Sequence, residues 1–281
     1  MTNSANQAEG YTAIWNGSAG DVWVEMQEQL DRIFAPVEAL LADEVAALAP
    51  RSVLDVGCGT GATTLAAARR LAGGGYSLGI DVSEAMIETA RQRARREGLG
   101  ATFVSGDAQR YVFARASVDL FISRFGVMFF DDFVAAFANL HHAAREGAQL
   151  RFVTWRGPEE NPYMTAAEST AAPFLPDMPV RDPAGPGQFG LADAARTQGL
   201  LQDAGWTEID HQPIDFACSL SASELERYFT RLGPVGTMLQ KADAETRARV
   251  IEVLQPAFAP FVVGDEVRFT AACWLVSATA G

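Results

Sequence analysis

Three histidines and three cysteines are all that 281 residues provide. Cys58, Cys218 and Cys273 are odd in number and widely spaced, which supports neither a disulfide framework nor a zinc site. A reducing compartment follows from that usage, and a cytoplasmic location is the expectation. Positive charge is also scarce, with 22 Lys and Arg against 35 Asp and Glu, a formal net charge of -13. That balance repels nucleic-acid phosphates and anionic membrane surfaces. Lys241 is the single lysine. The densest basic cluster, Arg91, Arg93, Arg95 and Arg96, is interleaved with Glu88 and Glu97 and reads as a solvated helix face. No apolar run approaches the roughly 20 residues needed to span a bilayer, and the first residues are polar. What is present is an ordinary globular mixture, 48% hydrophobic and 20% charged, enough for a substantial core.

From Asp21 to Ala49 apolar residues recur at helical spacing, and Pro36 must kink or divide the segment. From Ser52 the pattern becomes strand and helix in alternation. Strands are predicted at Ser52–Val56, Ser77–Asp81, Ala101–Ser105, Val118–Ser123 and Gln149–Trp155, with helices at Gly61–Ala72, Glu84–Arg96 and Asp132–Arg145. Alternation of this kind builds an α/β fold, a mostly parallel sheet with helices on both faces. After Trp155 prolines crowd the chain from Pro158 to Pro186, marking a loop-dominated insertion with one helix near Tyr163–Ala171. Helices are then expected at Leu191–Asp203, Ala222–Arg231 and Ala244–Leu254, and strands at Trp206–Cys218 and Glu266–Ala278. The organisation expected is an N-terminal helical cap over 1–50 and a cofactor-binding core over 51–156. Residues 157–281 would supply a cap insertion and the rest of the same sheet.

The first strand runs directly into Gly57-Cys58-Gly59-Thr60-Gly61, where a helix begins, so the glycines occupy the turn at which open α/β sheets bind ligands. Gly57, Gly59 and Ala62 also satisfy the dinucleotide spacing, so a nicotinamide-dependent oxidoreductase competes. Asp55 discriminates. A pyrophosphate beside that fixed carboxylate would cost on the order of several kcal/mol at an effective dielectric near 20, whereas a sulfonium or ammonium would be attracted. Asp81 ends the second strand, where its carboxylate can accept from both ribose hydroxyls or cap the next helix, with Val82 beside it to pack on an adenine and Met86 one turn further on. At the third strand tip Asp107 can accept from an adenine amino group while the backbone of Ala108 reads a ring nitrogen.

Taken in order, Val53-Leu54-Asp55-Val56-Gly57-Cys58-Gly59-Thr60-Gly61, Gly79-Ile80-Asp81-Val82-Ser83 and Gly106-Asp107-Ala108 resemble the successive motifs of class I methyltransferases, in their UbiE-like small-molecule branch. The resemblance extends to Trp15-Asn16-Gly17, Ser123 through Phe130, Trp155, Asn161-Pro162 and Trp274-Leu275-Val276. It implies a Rossmann-like seven-stranded sheet with a final antiparallel strand, and S-adenosylmethionine bound across the strand tips. It implies no particular acceptor.

Methyl transfer from a sulfonium is an in-line displacement by an already activated donor, so alignment dominates, supplying roughly 7–11 kcal/mol. No triad is needed. Arg124 and Phe125, with Ser123 at the cofactor, would lie beside the methyl group; Arg124 can bind the donor carboxylate or an anionic acceptor, or tie the loop to an acid. Tyr11, Trp15, Met128 and Trp155 are the candidate walls of the acceptor pocket, which favours a flat apolar or aromatic metabolite methylated on N, C or O. His141 and His142 are read as packing or surface residues, His211 as structural, Asp131 and Asp132 as helix caps, and no metal site is expected. The partners expected are a small-molecule substrate and, at most, a second copy in a homodimer. A catalytically silent donor-binding module is the remaining alternative.

Overall fold

The computed structural model describes residues 13–71, 74–179, 181–182 and 185–281. The first elements whose bounds lie within the described residues are the helices α1 (Ser18–Glu25), α2 (Gln27–Ile33) and α3 (Ala35–Leu48). Pro36 divides α2 from α3 as its sequence position requires, because it sits in the first turn of α3, where a missing N–H costs nothing. Then follow β1 (Ser52–Val56), α4 (Ala62–Arg70), β2 (Tyr76–Asp81), α5 (Glu84–Glu97), β3 (Thr102–Ser105), β4 (Val118–Arg124), α6 (Phe133–Ala143) and β5 (Ala144–Trp155). The remainder is α7 (Pro162–Ala171), α8 (Ala194–Asp203), β6 (Trp206–Ser221), α9 (Leu225–Arg231), α10 (Gly233–Leu239), α11 (Ala244–Phe258), β7 (Val262–Val263) and β8 (Glu266–Ala280).

The sheet order is β3-β2-β1-β4-β5-β8-β6, with β1 to β5 parallel and β8 antiparallel to both its neighbours. Every residue of β1 is buried, as a central strand covered on both faces demands. The sheet has eight strands rather than seven. Gly264, at φ 62, lets Val262–Val263 fold back on the start of β8 as a two-residue extra strand. Strand β5 also begins at Ala144, earlier than its apolar pattern suggests, and α6 stops at Ala143.

One topological fact places the cap. Ile214 of β6 lies opposite Cys273 of β8, which lies opposite Trp155 at the tip of β5. Asp215–Ser221 therefore run on past the strand tips with the first part of β8, an arm about 20–25 Å long at ~3.3 Å per residue. Helix α2 packs on this arm, and α7, α9, α10 and α11 fill the space beside it.

Candidate donor site at the strand tips

The glycine turn is built by backbone crowding. Gly57 has φ 68, and a Cβ on it would lie 2.5 Å from the Cα of Gly126, in the turn after β4. The tips of β1 and β4 thus meet at two glycines. Gly61, at φ 87, caps α4, and a Cβ there would strike Ala90 and Phe103. Gly59, at φ 54, differs: a Cβ would meet only the Met86 sulfur at 3.7 Å, so its front is open.

Around this turn the sequence-predicted residues divide. Asp81 is buried at the tip of β2, and its two oxygens accept from Gly59 N at 2.8 Å and Ser83 N at 2.9 Å. It organises both loops, and burial raises its pKa. Val82 is half-buried beside it and Met86 is buried beneath Gly59. Thr60 is tied by its carbonyl and hydroxyl to Arg93, at 2.9 and 3.3 Å. Asp107 accepts from Gln109 N at 2.9 Å, and the Ala108 carbonyl accepts from Asn139 at 2.8 Å.

Asp55 is not the exposed fixed charge that its sequence position suggests. It is 1% exposed, and its Oδ2 accepts from Thr64 Oγ1 at 2.6 Å. Burial pushes its pKa up to about 7, against the opposing pull of the Thr64 bond and the Arg124 charge. The discrimination against a diphosphate is accordingly weaker than a permanent carboxylate would give. Ser123 is also corrected. It is fully buried, its Oγ donates to Val56 O at 2.7 Å and accepts from Gly126 N and Val127 N, and it buckles β1 to the turn after β4. No capacity is left for a ligand.

The N-terminal helices supply the opposite wall, which no local motif announced. Trp23, Gln27, Leu30 and Asp31 face Gly57, Cys58, Gly59, Thr60, Thr63 and Arg124 across a narrow cleft. Asp31 Oδ2 accepts from Gln27 at 2.5 Å and Arg93 at 2.7 Å, while Oδ1 stands 4.0 Å from Arg124. Arg93 therefore does not belong to a solvated face: Arg91 and Arg95 pair with Glu84 and Glu88 outside, but Arg93 turns inward between the glycine turn and α2.

Four buried polar atoms around the glycine turn have no partner: Asp55 Oδ1, Ser83 Oγ, Arg93 Nε and Arg124 Nη1. Unpartnered buried groups are rare in native proteins and call for an explanation. Among them a carboxylate, a guanidinium and a hydroxyl match an α-amino-acid zwitterion and a ribose, two polar parts of S-adenosylmethionine. The residues present fit that group.

Of the residues expected at the acceptor, Phe125 and Trp155 come together, their rings stacked at 4.3 Å with 4° between planes, and Phe34 is edge-on to both. Phe125 holds φ 67, a strained setting for a non-glycine residue that directs it here. Trp15 lies elsewhere, against Trp23 and Phe129, and Met128 is core at 1% exposure. Tyr11 lies outside the described residues. His141 packs edge-on to Trp206 and His211 to Trp274, while Asp132 caps α6 by accepting from Ala135 N. Among the described residues there is no metal-binding cluster of His, Cys, Asp and Glu, and no helix long and apolar enough to cross a membrane.

The strand order and the glycine turn at the β1 tip define a Rossmann-like class I methyltransferase fold. Residues 53–147 match the family model described as a methyltransferase domain. It is 33% identical over 122 residues to aklanonic acid methyltransferase DauC of Streptomyces sp. strain C5, covering 43% of this chain and 56% of that one. It is 33% identical over 118 residues to nocamycin O-methyltransferase of Saccharothrix syringae, covering 42% of each. The chain thus spans about half the length of the curated relatives it matches. Among solved structures it is similar to the YcgJ protein of Bacillus subtilis, with TM-score 0.55 and 18% identity over 85% of this chain and 97% of that one. It is also similar to the [4+2]-cyclase SpnF, with TM-score 0.52 and 20% identity over 85% and 79%. At such identities the likeness is one of fold alone.

Proposed function

We propose that the protein transfers a methyl group from S-adenosylmethionine to a small, flat, apolar or aromatic metabolite. The observation that carries this reading is the pair of orphaned, oppositely charged atoms, Asp55 Oδ1 and Arg124 Nη1, at one end of a glycine cradle whose other rim is Asp81 and Ser83. Bound there, the donor would supply an electrophilic methyl group that needs no further activation. Arg124 would hold the carboxylate of the donor and Asp55, ionised, its ammonium. Asp81 keeps a free lone pair on each oxygen for ribose hydroxyls, Val82 would pack on the adenine, and Asp107 and the Ala108 backbone would hydrogen-bond it.

The titratable side chains lining the cleft itself are Cys58, Asp31 and Arg124, with Asp55 buried behind the glycine turn, and Cys58 is buried with its thiol pushed well up by burial. Catalysis on this reading comes from alignment over Phe125 and exclusion of water by α1 and α2. An electron-rich nucleophile such as an enol, an amine or an activated ring carbon suits such a site. Curated relatives carry both O- and C-methyltransferase names, so the atom methylated stays open between oxygen, nitrogen and carbon. The net charge of -13 disfavours nucleic acid as acceptor, and the three buried free cysteines accord with the cytoplasm.

The test is calorimetry with S-adenosylhomocysteine, NAD and NADP, followed by incubation with methyl-labelled donor and an extract of small metabolites. Micromolar S-adenosylhomocysteine binding, no nicotinamide binding and a labelled product are expected. Nicotinamide binding alone would end the reading. A second reading is favoured by one neighbour: a fold shared with a cyclase can serve chemistry other than methyl transfer. Donor binding without any labelled product would support it.

A further inference from the structure

Helix α2 has a second face. Gln27, Leu30 and Asp31 turn to the donor cleft, whereas Gln29, Arg32 and Ile33 line a separate groove against the far end of the β6–β8 arm. This groove encloses about 660 Å³, within the roughly 300–1,000 Å³ of small-molecule sites. Its inner wall holds an anomaly. Gln29 is only 4% exposed, and neither Nε2 nor Oε1 has a hydrogen-bond partner. A primary amide that is buried, unpaired on both its donor and its acceptor and set in the wall of a groove calls for a partner.

The surroundings narrow the ligand. Ile33 and Leu220 give an apolar floor, and Ser219 and Ser221 line the groove with further polar groups. Glu224, Asp265 and Glu266 outnumber Arg32, and Arg32 is already paired to Glu224 at 2.6 Å. That field opposes an anion. We propose that the Gln29 groove is a recognition subsite for a neutral group carrying a hydrogen-bond donor and acceptor side by side, a carboxamide or a hydroxyl next to a carbonyl, on an apolar body. The binding chemistry of the groove does not depend on the methyltransferase reading.

Benzamide, with its donor and acceptor edge, and benzoate, its anionic counterpart, are the probes, added to the ¹⁵N-labelled full chain and read by NMR. Benzamide is expected to move the Gln29 side-chain amide resonance saturably in the millimolar range, and benzoate to bind at least tenfold more weakly. Gln29→Leu is expected to abolish the benzamide shifts, leave S-adenosylhomocysteine affinity within about twofold, and raise Tm by about 2–4 °C, since an orphaned amide is replaced by an apolar group of similar size. Equal binding of benzoate, unchanged benzamide binding by Gln29→Leu, or a lowered Tm would each overturn the proposal. S-adenosylhomocysteine titration of the unmutated chain reports separately on the donor site, so failure of the methyltransferase reading leaves the result for the groove distinct.

Discussion

Thr64 Oγ1 donates to Asp55 Oδ2 at 2.6 Å, one turn into the helix that the glycine turn opens, and this bond leaves Oδ1 of the same carboxylate unpaired in a dry site. Burial raises the Asp55 pKa to about 7. A cationic ligand end at Oδ1 favours the ionised form, so binding below that pKa must expel a proton. Affinity for S-adenosylhomocysteine should therefore rise with pH, by up to about tenfold per unit below pH 7, and level off above it. Asp55→Asn should flatten the profile. Calorimetry in buffers of differing ionisation enthalpy measures both the slope and the proton released; a flat profile for the unmutated chain would refute the role. The sign for stability is opposite. The folded state holds this proton longer than the unfolded chain, so the Asp55 contribution to stability falls as pH rises from about 4 to 7.

The second buried carboxylate revises an expectation from sequence. With only a ribose to hold, Asp81→Ala would weaken donor binding by about 1–3 kcal/mol and leave the fold intact. Because Asp81 also accepts from Gly59 N and Ser83 N, removing it strands two backbone donors. Asp81→Ala should lower the unfolding free energy by about 1–3 kcal/mol as well. Urea denaturation beside calorimetry separates the two effects. Loss of affinity at unchanged stability would mean that the two loop bonds are idle.

The legible and illegible parts of this site differ in sequence separation. Asp55, Gly57, Gly59 and Gly61 fall within seven consecutive positions of a strand-turn-helix, and a parallel sheet brings Asp81 and Asp107 to the same edge by topology alone. The strand β1 was bounded correctly for the same reason, its apolar run being closed by glycine. Asp31 and Arg93 are 62 positions apart, and their pairing follows from how α2 lies on α5, which apolar periodicity does not specify. Helix α10 was missed because Gly233-Pro234 reads as a turn, although proline in the first turn starts helices well. Ser123 misled because a hydroxyl at a strand tip serves backbone and ligand equally.

The close approach of the turns after β1 and β4 offers a test of packing. Gly57→Ala must place a Cβ 2.5 Å from Gly126 Cα at φ 68, and Gly126→Ala must place one 2.6 Å from Gly57 Cα. Each should cost about 2–4 kcal/mol of stability, combining overpacking with, for Gly57, left-handed strain. Since both changes force the same two strand tips apart, the double variant should fall well short of the sum. Additive losses in guanidinium denaturation would show that the two tips yield independently.

Donor entry makes the strongest demand on the N-terminal helices. Between Trp23, Gln27, Asp31 and the glycine turn the cleft leaves about 30 Å³, room for about one water, and a donor nucleoside is many times larger. Either the sheet opens or the helices move. The sheet is continuous and buried, whereas α1 and α2 are 8 and 7 residues long, too short to be stable alone. They are held at their ends by ion pairs, Glu25 with Arg227 and Arg231, Asp31 with Arg93 and Arg32 with Glu224. Val22, Met26, Leu30 and Ile33 also pack into the core, so the segment must lift as one unit for the donor to enter. Amide exchange in Ser18–Ile33 should accordingly run at least tenfold faster than in β1 and α4 in the free protein, and slow on saturation with S-adenosylhomocysteine. Asp31→Asn, which removes the charge that Arg93 and Arg124 share, should speed the free-state exchange further. Exchange over Ser18–Ile33 that is already as slow as in β1, and unaltered by the ligand, would mean that this wall is rigid and that the donor does not enter beneath it.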